Sequence, residues 1–322
     1  MSSSFKRIDY SIRPAKHAER KMLCDIFRRL WPFARIEDYV YVGFGSIWFA
    51  DFILMHRALG IKDMISIEHA ESARQRIEDN KPFRIPVDYR PSSDALPDLD
   101  WNRKQFIWLD YDDPLAAYML LDMRTVTRRA VSGTVISVSV QCSKAPQLAE
   151  ADQDSDHSGP TGLERFITVF GRDRVPQKTT TEDLYGWSFG TLSRTLLMQE
   201  LEAELGSRNS SNQGPEMRFQ PICEFEYEDG AKMTTIVGIF YSIDDEEKFK
   251  QCGFENLDFI PNIQKPVRIV VPKLTAREFK RLESQLPLQN GAEINLGSIP
   301  QAEARKFVEM YRYFPNFAVL ES

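Results

Sequence analysis

Between residues 35 and 145, strand-sized apolar runs alternate with helix-sized segments, and that rhythm leaves few architectures open. Tyr39-Val-Tyr-Val42 reads as a buried strand running into Gly43-Phe-Gly45-Ser46, and 47–59 reads as a helix stopped by Gly60. Met64-Ile-Ser-Ile67 is a second strand ending at Glu68, followed by a helix to about residue 80. A third strand is expected over 83–87, a fourth over 105–109 ending at Asp110, a helix over 115–130 and a fifth strand over 134–140. Strands separated by helices at this spacing predict βαβ units. The fold class is therefore α/β: a Rossmann-like, mostly parallel sheet with helices on both faces.

Elements outside that block behave differently. Residues 14–31 predict an amphipathic helix, with Pro14 in its first turn and Met22, Leu23, Ile26, Phe27 and Leu30 on one face. Lys16, Arg20, Lys21, Arg28 and Arg29 give the other face a basic, solvated reading. Glu150–Gly162 is acidic and rich in Ser, Gly and Pro, which predicts a solvated loop, and 206–216 predicts a second one. Helices are expected over 161–170 and 182–206. Glu228-Asp-Gly-Ala between apolar runs at 219–227 and 233–241 predicts a β-hairpin. A further strand is expected over 267–271, and Thr275-Ala-Arg-Glu278 and Ser298-Ile-Pro-Gln301 are capping-box patterns, each opening a helix.

At 322 residues the chain has the length of about two domains, taking roughly 150 residues for each. The expected division is a basic N-terminal helix over 1–34, a cofactor-binding core over 35–148 and an α+β region with the hairpin over 149–322, which would carry substrate or partner choice. Net charge is −6, which disfavours nucleic-acid binding through global charge. The N-terminal residues carry no apolar core of a signal peptide, and no run of about 18 apolar residues exists to span a membrane. Cys24, Cys142, Cys223 and Cys252 form no CxxC pair and are read as free buried thiols, and His17, His56, His69 and His157 are scattered, with no zinc spacing. A cytoplasmic protein is expected.

Chemistry is expected at the carboxyl ends of the strands, where open parallel sheets bind ligands. Gly43 and Gly45 let the backbone turn and approach a ligand, although the pair also suits a plain tight turn. Glu68 lies 23 residues after Gly45, close to the roughly 20 at which an acid accepts hydrogen bonds from ribose hydroxyls. Asp94 follows the third strand. Asp110 follows the fourth, within Asp110-Tyr-Asp-Asp-Pro114, where Asp112 and Asp113 also suit capping of the next helix. Trp48 and Phe49 either wall a pocket or pack on the sheet. Tyr311, Tyr313, Phe314 and Phe317 read as core or a subunit contact.

Taken together, Gly43/Gly45, Glu68, Asp94 and Asp110 resemble the motifs of class I S-adenosylmethionine-dependent methyltransferases, over about residues 35–145. The resemblance implies that Gly43-Phe44-Gly45-Ser46 lies along the methionine part of the cofactor. It further implies that Glu68, beside His69, binds the ribose, that Asp94 contacts the adenine amino group, and that Asp110, Tyr111 and Asp112 adjoin the transferred methyl. The segment Ile8-Asp-Tyr-Ser-Ile-Arg-Pro-Ala-Lys16…Glu19-Arg-Lys, with Gly45-Ser46…Phe49…Asp51-Phe, also resembles bacterial proteins described as O-methyltransferase-like.

Two departures stand out. Tyr41 occupies the place of the acid two residues before the first glycine, so Asp51 is the candidate substitute, and Ile47 occupies the place of a third glycine. Asp110-Tyr-Asp is not the Asp/Asn-Pro-Pro-Tyr/Phe motif of base amino-group methylation. The resemblance thus implies methyl transfer from S-adenosylmethionine to an unidentified acceptor at oxygen. Asp110 is then the candidate base; alternatively Asp110 and Asp112 hold Mg²⁺, and Lys16 and Arg20 reach an anionic substrate. The second reading is a catalytically degenerate subunit that keeps the fold and binds a nucleotide or a protein partner, with the C-terminal region as partner surface or homodimer contact.

Overall fold

The structure, a computed structural model, describes residues 13–152, 159–211, 214–260, 265–289 and 292–315. Ile8–Ile12, Asp154, Asp156, His157 and Phe317, which carried expectations above, lie outside these residues. The chain opens with α1 (Pro14–Arg28) and β1 (Val40–Gly43), then α2 (Ala50–Leu59), β2 (Asp63–Ile67), α3 (Arg74–Asp79) and β3 (Val87–Asp88). A short α4 (Ser92–Ala95) precedes β4 (Gln105–Pro114), α5 (Ala117–Arg129) and β5 (Thr134–Gln141). Next come α6 (Pro146–Asp152), α7 (Gly162–Phe170) and the long α8 (Gly186–Ser210). The hairpin β6 (Met217–Glu228) and β7 (Lys232–Ser242) leads to α9 (Glu246–Cys252), β8 (Val267–Ile269), α10 (Ala276–Glu283) and α11 (Gln301–Met310).

All eight strands form one sheet in the order β3-β2-β1-β4-β5-β7-β6-β8. β1 to β5 run parallel, β7 joins β5 antiparallel, and β8 pairs parallel with β6. The fold is thus α/β with a mostly parallel sheet, as the alternation predicts, and the hairpin continues that same sheet. Residues alternate between the two faces of β1. Tyr39 and Tyr41 join the core that contains α1 and α2, whereas Val40 and Val42 join the core that contains α5 and α8. All four cysteines are buried and unpaired. No helix among the described residues is long and apolar enough to cross a membrane.

Several local expectations are corrected. α1 is buried nearly all round: Lys16 and Arg20 are 0% and 5% exposed, because carboxylates on other elements meet them, and only its C-terminal end carries the solvated basic face. α6 covers Glu150, since Gln-Leu-Ala-Glu-Ala are good helix formers. α8 runs on through Gly206 because Arg208 donates to the carbonyls of Thr127 and Ala130, at 2.9 and 2.8 Å, tying its last turns to the end of α5. Asp112 and Asp113 do not cap α5, whose N-cap is Ala116; they extend β4 through a register shift between Asp110 and Pro114. Thr275 makes its capping box, but Ser298 does not. Ile299 precedes Pro300 and is driven out of helical backbone, so α11 starts after Pro300.

Candidate functional site

The strand order reverses at β1, which has β2 on one side and β4 on the other, and that is where an open α/β sheet forms its crevice. A cavity of about 720 Å³ lies there, at the carboxyl ends of β1, β2 and β4. Every residue of its wall falls between Arg20 and Tyr118, so none comes from the C-terminal half.

The loop after β1 forms its floor. Its backbone is held by Gly45 N–H donating to Ser66 Oγ at 3.0 Å, Ser46 N–H donating to the Glu68 carboxylate, and Phe49 N–H donating to the Gly45 carbonyl at 2.7 Å. Ser46 and Phe49 sit at φ of 49° and 46°, a left-handed conformation that costs non-glycine residues on the order of 1–3 kcal/mol each. Such strain persists only where the surroundings enforce it. Phe49 is fully buried against Phe52, and Trp48 instead lines the cavity, with a buried Nε1 that has no hydrogen-bond partner among the described residues. A Cβ on Gly45 would lie 2.5 Å from the Phe49 ring and 2.8 Å from Ser66 Oγ. Gly45→Ala is therefore expected to lower stability by about 1–3 kcal/mol, the range for overpacking, measurable by urea unfolding. An unchanged midpoint would show that the loop is looser than this.

Glu68 follows β2 and takes the Ser46 amide on its carboxylate. Burial pushes its carboxyl up to about 7, against the pull of the Ser46 and Gly45 amides and the Ser66 hydroxyl. His69 is exposed at the rim. Asp94 is also exposed, in the first turn of α4, while its neighbours Ser92 and Ser93 line the cavity.

α1 supplies a buried ionic cluster. Lys16 Nζ lies 2.6 Å from Asp110 Oδ1 and 2.8 Å from Glu19 Oε2, and 4.2 Å from the centre of the Trp108 ring. Its backbone N–H donates at 2.8 Å to Asp229 in the hairpin turn, which fixes the start of the helix. Burial opposes ionisation of Asp110, but Lys16, helped by Arg13 and Arg20, holds its carboxyl below the usual carboxylate range. Glu19 has the opposite fate: burial outweighs Lys16 and raises it. Arg20 and Asp51 form a second buried ion pair, between α1 and α2, in the cavity wall. Glu19, Trp108 and Asp229 were missed by sequence reasoning. The i, i+3 spacing of Lys16 and Glu19 and the same-face spacing of Trp108 and Asp110 were the available signals.

The opposite wall is aromatic. Tyr111 packs edge-on against Phe44 and Tyr118, with centroids 5.2 and 5.8 Å away. Its hydroxyl donates to Asp122 Oδ2 at 2.6 Å, and Ser92 Oγ donates to the same oxygen, so Asp122 ties the last part of β4 to the start of α4. Asp112 and Asp113 line the cavity beside Tyr111. Among the described residues, no group of three or more His, Cys, Asp or Glu is placed to hold a metal ion, and Asp110 meets an ammonium where magnesium was considered.

With this geometry established, residues 8–322 match the model of a protein family described as "Putative O-methyltransferase". The chain belongs to this family. No curated protein matches it. Similar solved structures include the sugar N-methyltransferase KedS8 from Streptoalloteichus, at 14% identity and TM-score 0.30 over 44% of this chain and 52% of that one. Another is Trm1 from Pyrococcus horikoshii with S-adenosyl-L-methionine, at 11% identity and TM-score 0.43 over 73% of this chain and 58% of that one. A third is the plantazolicin methyltransferase BamL with a desmethyl analogue and SAH, at 11% identity and TM-score 0.38 over 73% and 89%. The first two alignments thus span little more than half of those proteins' own length. The matched region includes every residue of the cavity wall.

Proposed function

We propose that this chain is an S-adenosylmethionine-dependent methyltransferase acting at an oxygen atom. The observation that carries the reading is the cavity at the β1/β4 switch point, floored by the strained Gly43–Phe49 loop, with Glu68 bonded to the loop amide. The residues present fit the cofactor. Glu68 is an acceptor of the right type for two ribose hydroxyls, Ser93 lines the cavity on the α4 side, and the buried Trp48 Nε1 is a donor with no partner among the described residues. Bound cofactor would supply an electrophilic methyl group on a sulfonium.

This chain's residues then do the rest. Asp110, kept ionised by Lys16, presents a fixed negative charge at the end of β4 and can take the proton of an acceptor hydroxyl. As a base it is weakened by that same ion pair, because proton transfer is most efficient when the base's pKa is near the working pH. Orientation is accordingly the larger contribution, up to about 7–11 kcal/mol in well-aligned reactions. Tyr111, whose proton is committed to Asp122, acts as a wall rather than as an acid or base. Native mass spectrometry of the chain mixed with S-adenosylmethionine tests the reading. One cofactor per chain is expected, lost in Glu68→Ala. A parent chain that retains no cofactor at millimolar concentration, or that carries a different nucleotide through purification, would refute it. The degenerate-subunit reading is favoured if the parent binds but transfers no methyl group.

A further inference from the structure

Both cations that the sequence offered to an anionic substrate are occupied in the fold. Lys16 lies buried against Asp110 and Glu19, and Arg20 pairs with Asp51. Arg90, the other guanidinium of the cavity wall, already holds Asp88 and Asp98 at 2.6 and 2.7 Å. We propose that the acceptor is instead a cation: an aromatic hydroxyl compound carrying an ammonium group, its ring on the Phe44–Tyr111–Tyr118 wall and its ammonium between Tyr118 and Asp113. This names a substrate class for the site described above and rests on the cofactor reading.

Three observations carry it. Phe44, Tyr111 and Tyr118 line the cavity as a ladder of rings, each edge-on to the next, with 5.2 and 5.8 Å between centroids. Ring faces attract cations and pack on other rings, so such a wall suits an aromatic cation on both counts. The register shift in β4 brings the consecutive residues Asp110 to Asp113 all onto the cavity, where a regular strand would point alternate ones away. Asp113 is the member of that run left for a ligand. Asp110 has Lys16, and Arg13 acts electrostatically on Asp112, but no hydrogen bond or ion pair holds the half-buried Asp113 among the described residues. Burial, with the neighbouring Asp113 carboxylate, pushes the Tyr118 phenol up to about 12, which places that carboxylate beside the last ring of the ladder.

The wall as a whole has the matching sign. It holds six carboxylate side chains and two guanidinium groups, and both guanidinium groups are paired. A cleft lined by one sign of charge concentrates ligands of the other. Spacing then selects the shape of the ligand. Asp113 lies three residues beyond Asp110, at most roughly 10 Å along an extended strand, with Tyr111 between them. One molecule meets both carboxylates with its hydroxyl at one end, its ammonium at the other and its ring against Tyr111.

Titration calorimetry on the whole chain tests this, first with S-adenosylhomocysteine and then, on the saturated chain, with three phenols of similar shape. Tyramine carries an ammonium, para-ethylphenol no charge and para-hydroxyphenylpropionate a carboxylate. Tyramine is expected to bind roughly tenfold or more tightly than para-ethylphenol, the combined effect of a charge-assisted hydrogen bond and a cation–ring contact, and the carboxylate is expected to bind most weakly. Asp113→Asn, which keeps the shape of the side chain, should bring tyramine down to the level of para-ethylphenol. Its melting temperature and its affinity for S-adenosylhomocysteine and S-adenosylmethionine should stay those of the parent. Tyr118→Leu should weaken all three phenols, tyramine most. Equal binding of the three phenols, tightest binding of the carboxylate, binding of none at millimolar concentration, or a tyramine preference that survives Asp113→Asn overturns the inference and leaves the cofactor reading intact. An Asp113→Asn variant that loses S-adenosylmethionine but keeps S-adenosylhomocysteine also overturns it, because the carboxylate would then serve the sulfonium. A parent chain that takes up no S-adenosylhomocysteine sinks the cofactor reading and the inference together.

Discussion

Replacing Lys16 by methionine is expected to destabilise the chain by about 3–5 kcal/mol, the loss typical of removing one partner from a buried ionic cluster. Lys16 is fully buried, and its ammonium lies against the carboxylates of both Asp110 and Glu19. Without its ammonium two carboxylates would share a site in a low-dielectric interior, and at least one would have to take up a proton. The methionine side chain fills much of the same volume over Trp108, so lost packing contributes little. The expected signature is partial rescue: adding Asp110→Asn and Glu19→Gln to Lys16→Met should recover most of the lost stability, because no uncompensated charge then remains. Urea denaturation near neutral pH measures both. A loss below about 1 kcal/mol for the single variant would mean that water reaches the cluster and screens it.

Glu68→Gln should have opposite effects on stability and on binding. In the free chain burial raises the Glu68 carboxyl from 4.5 to about 7, so the folded state holds a proton that the unfolded state has released. Its contribution to stability is therefore fully present below pH 4.5 and is lost as pH rises through 7, at a cost on the order of 3 kcal/mol above that point. Removing the charge should stabilise the free chain at pH 8 and flatten this part of its stability profile. Cofactor binding should respond the other way. Ribose hydroxyls donate to the ionised carboxylate, so the parent's affinity for S-adenosylhomocysteine should rise between pH 6 and 8. In Glu68→Gln it should be weaker by roughly tenfold or more and independent of pH over that range. A variant that bound as tightly as the parent, with the same pH profile, would remove Glu68 from the site.

The sequence made most of the sheet legible because buried parallel strands are short apolar runs, and four of them are punctuated by Gly60, Glu68, Asp110 and Gly133; the third, expected over 83–87, is only the two-residue β3 at Val87–Asp88. Tyr39–Val42, Met64–Ile67 and Thr134–Val140 could be read from local pattern alone. The hairpin was equally plain from Asp229-Gly230, but its place beside β5 was not, because pairing between residues about 100 apart leaves no local trace. Lys16 and Arg20 were misread for the same reason. A cation on a helix reads as solvated until the fold brings Asp110 and Asp51 to it, and those partners are 94 and 31 residues away. Glu68 and Asp110 were found because strand ends converge on the crevice by topology. Asp122 and Asp229 were not, since one lies beneath the cavity wall and the other enters from the far end of the sheet. Tyr41 was visible as a departure from a motif. Only the fold shows that its hydroxyl is buried with no hydrogen-bond partner among the described residues.

The central claim is that the cavity at the end of β1 holds S-adenosylmethionine. The most direct measurement is the electron density of crystals grown with S-adenosylhomocysteine. The account predicts the ligand in the cavity between β1, β2 and β4, its ribose hydroxyls on Glu68. Density for the ligand at any other place, or a cavity without it at millimolar ligand, would contradict the account.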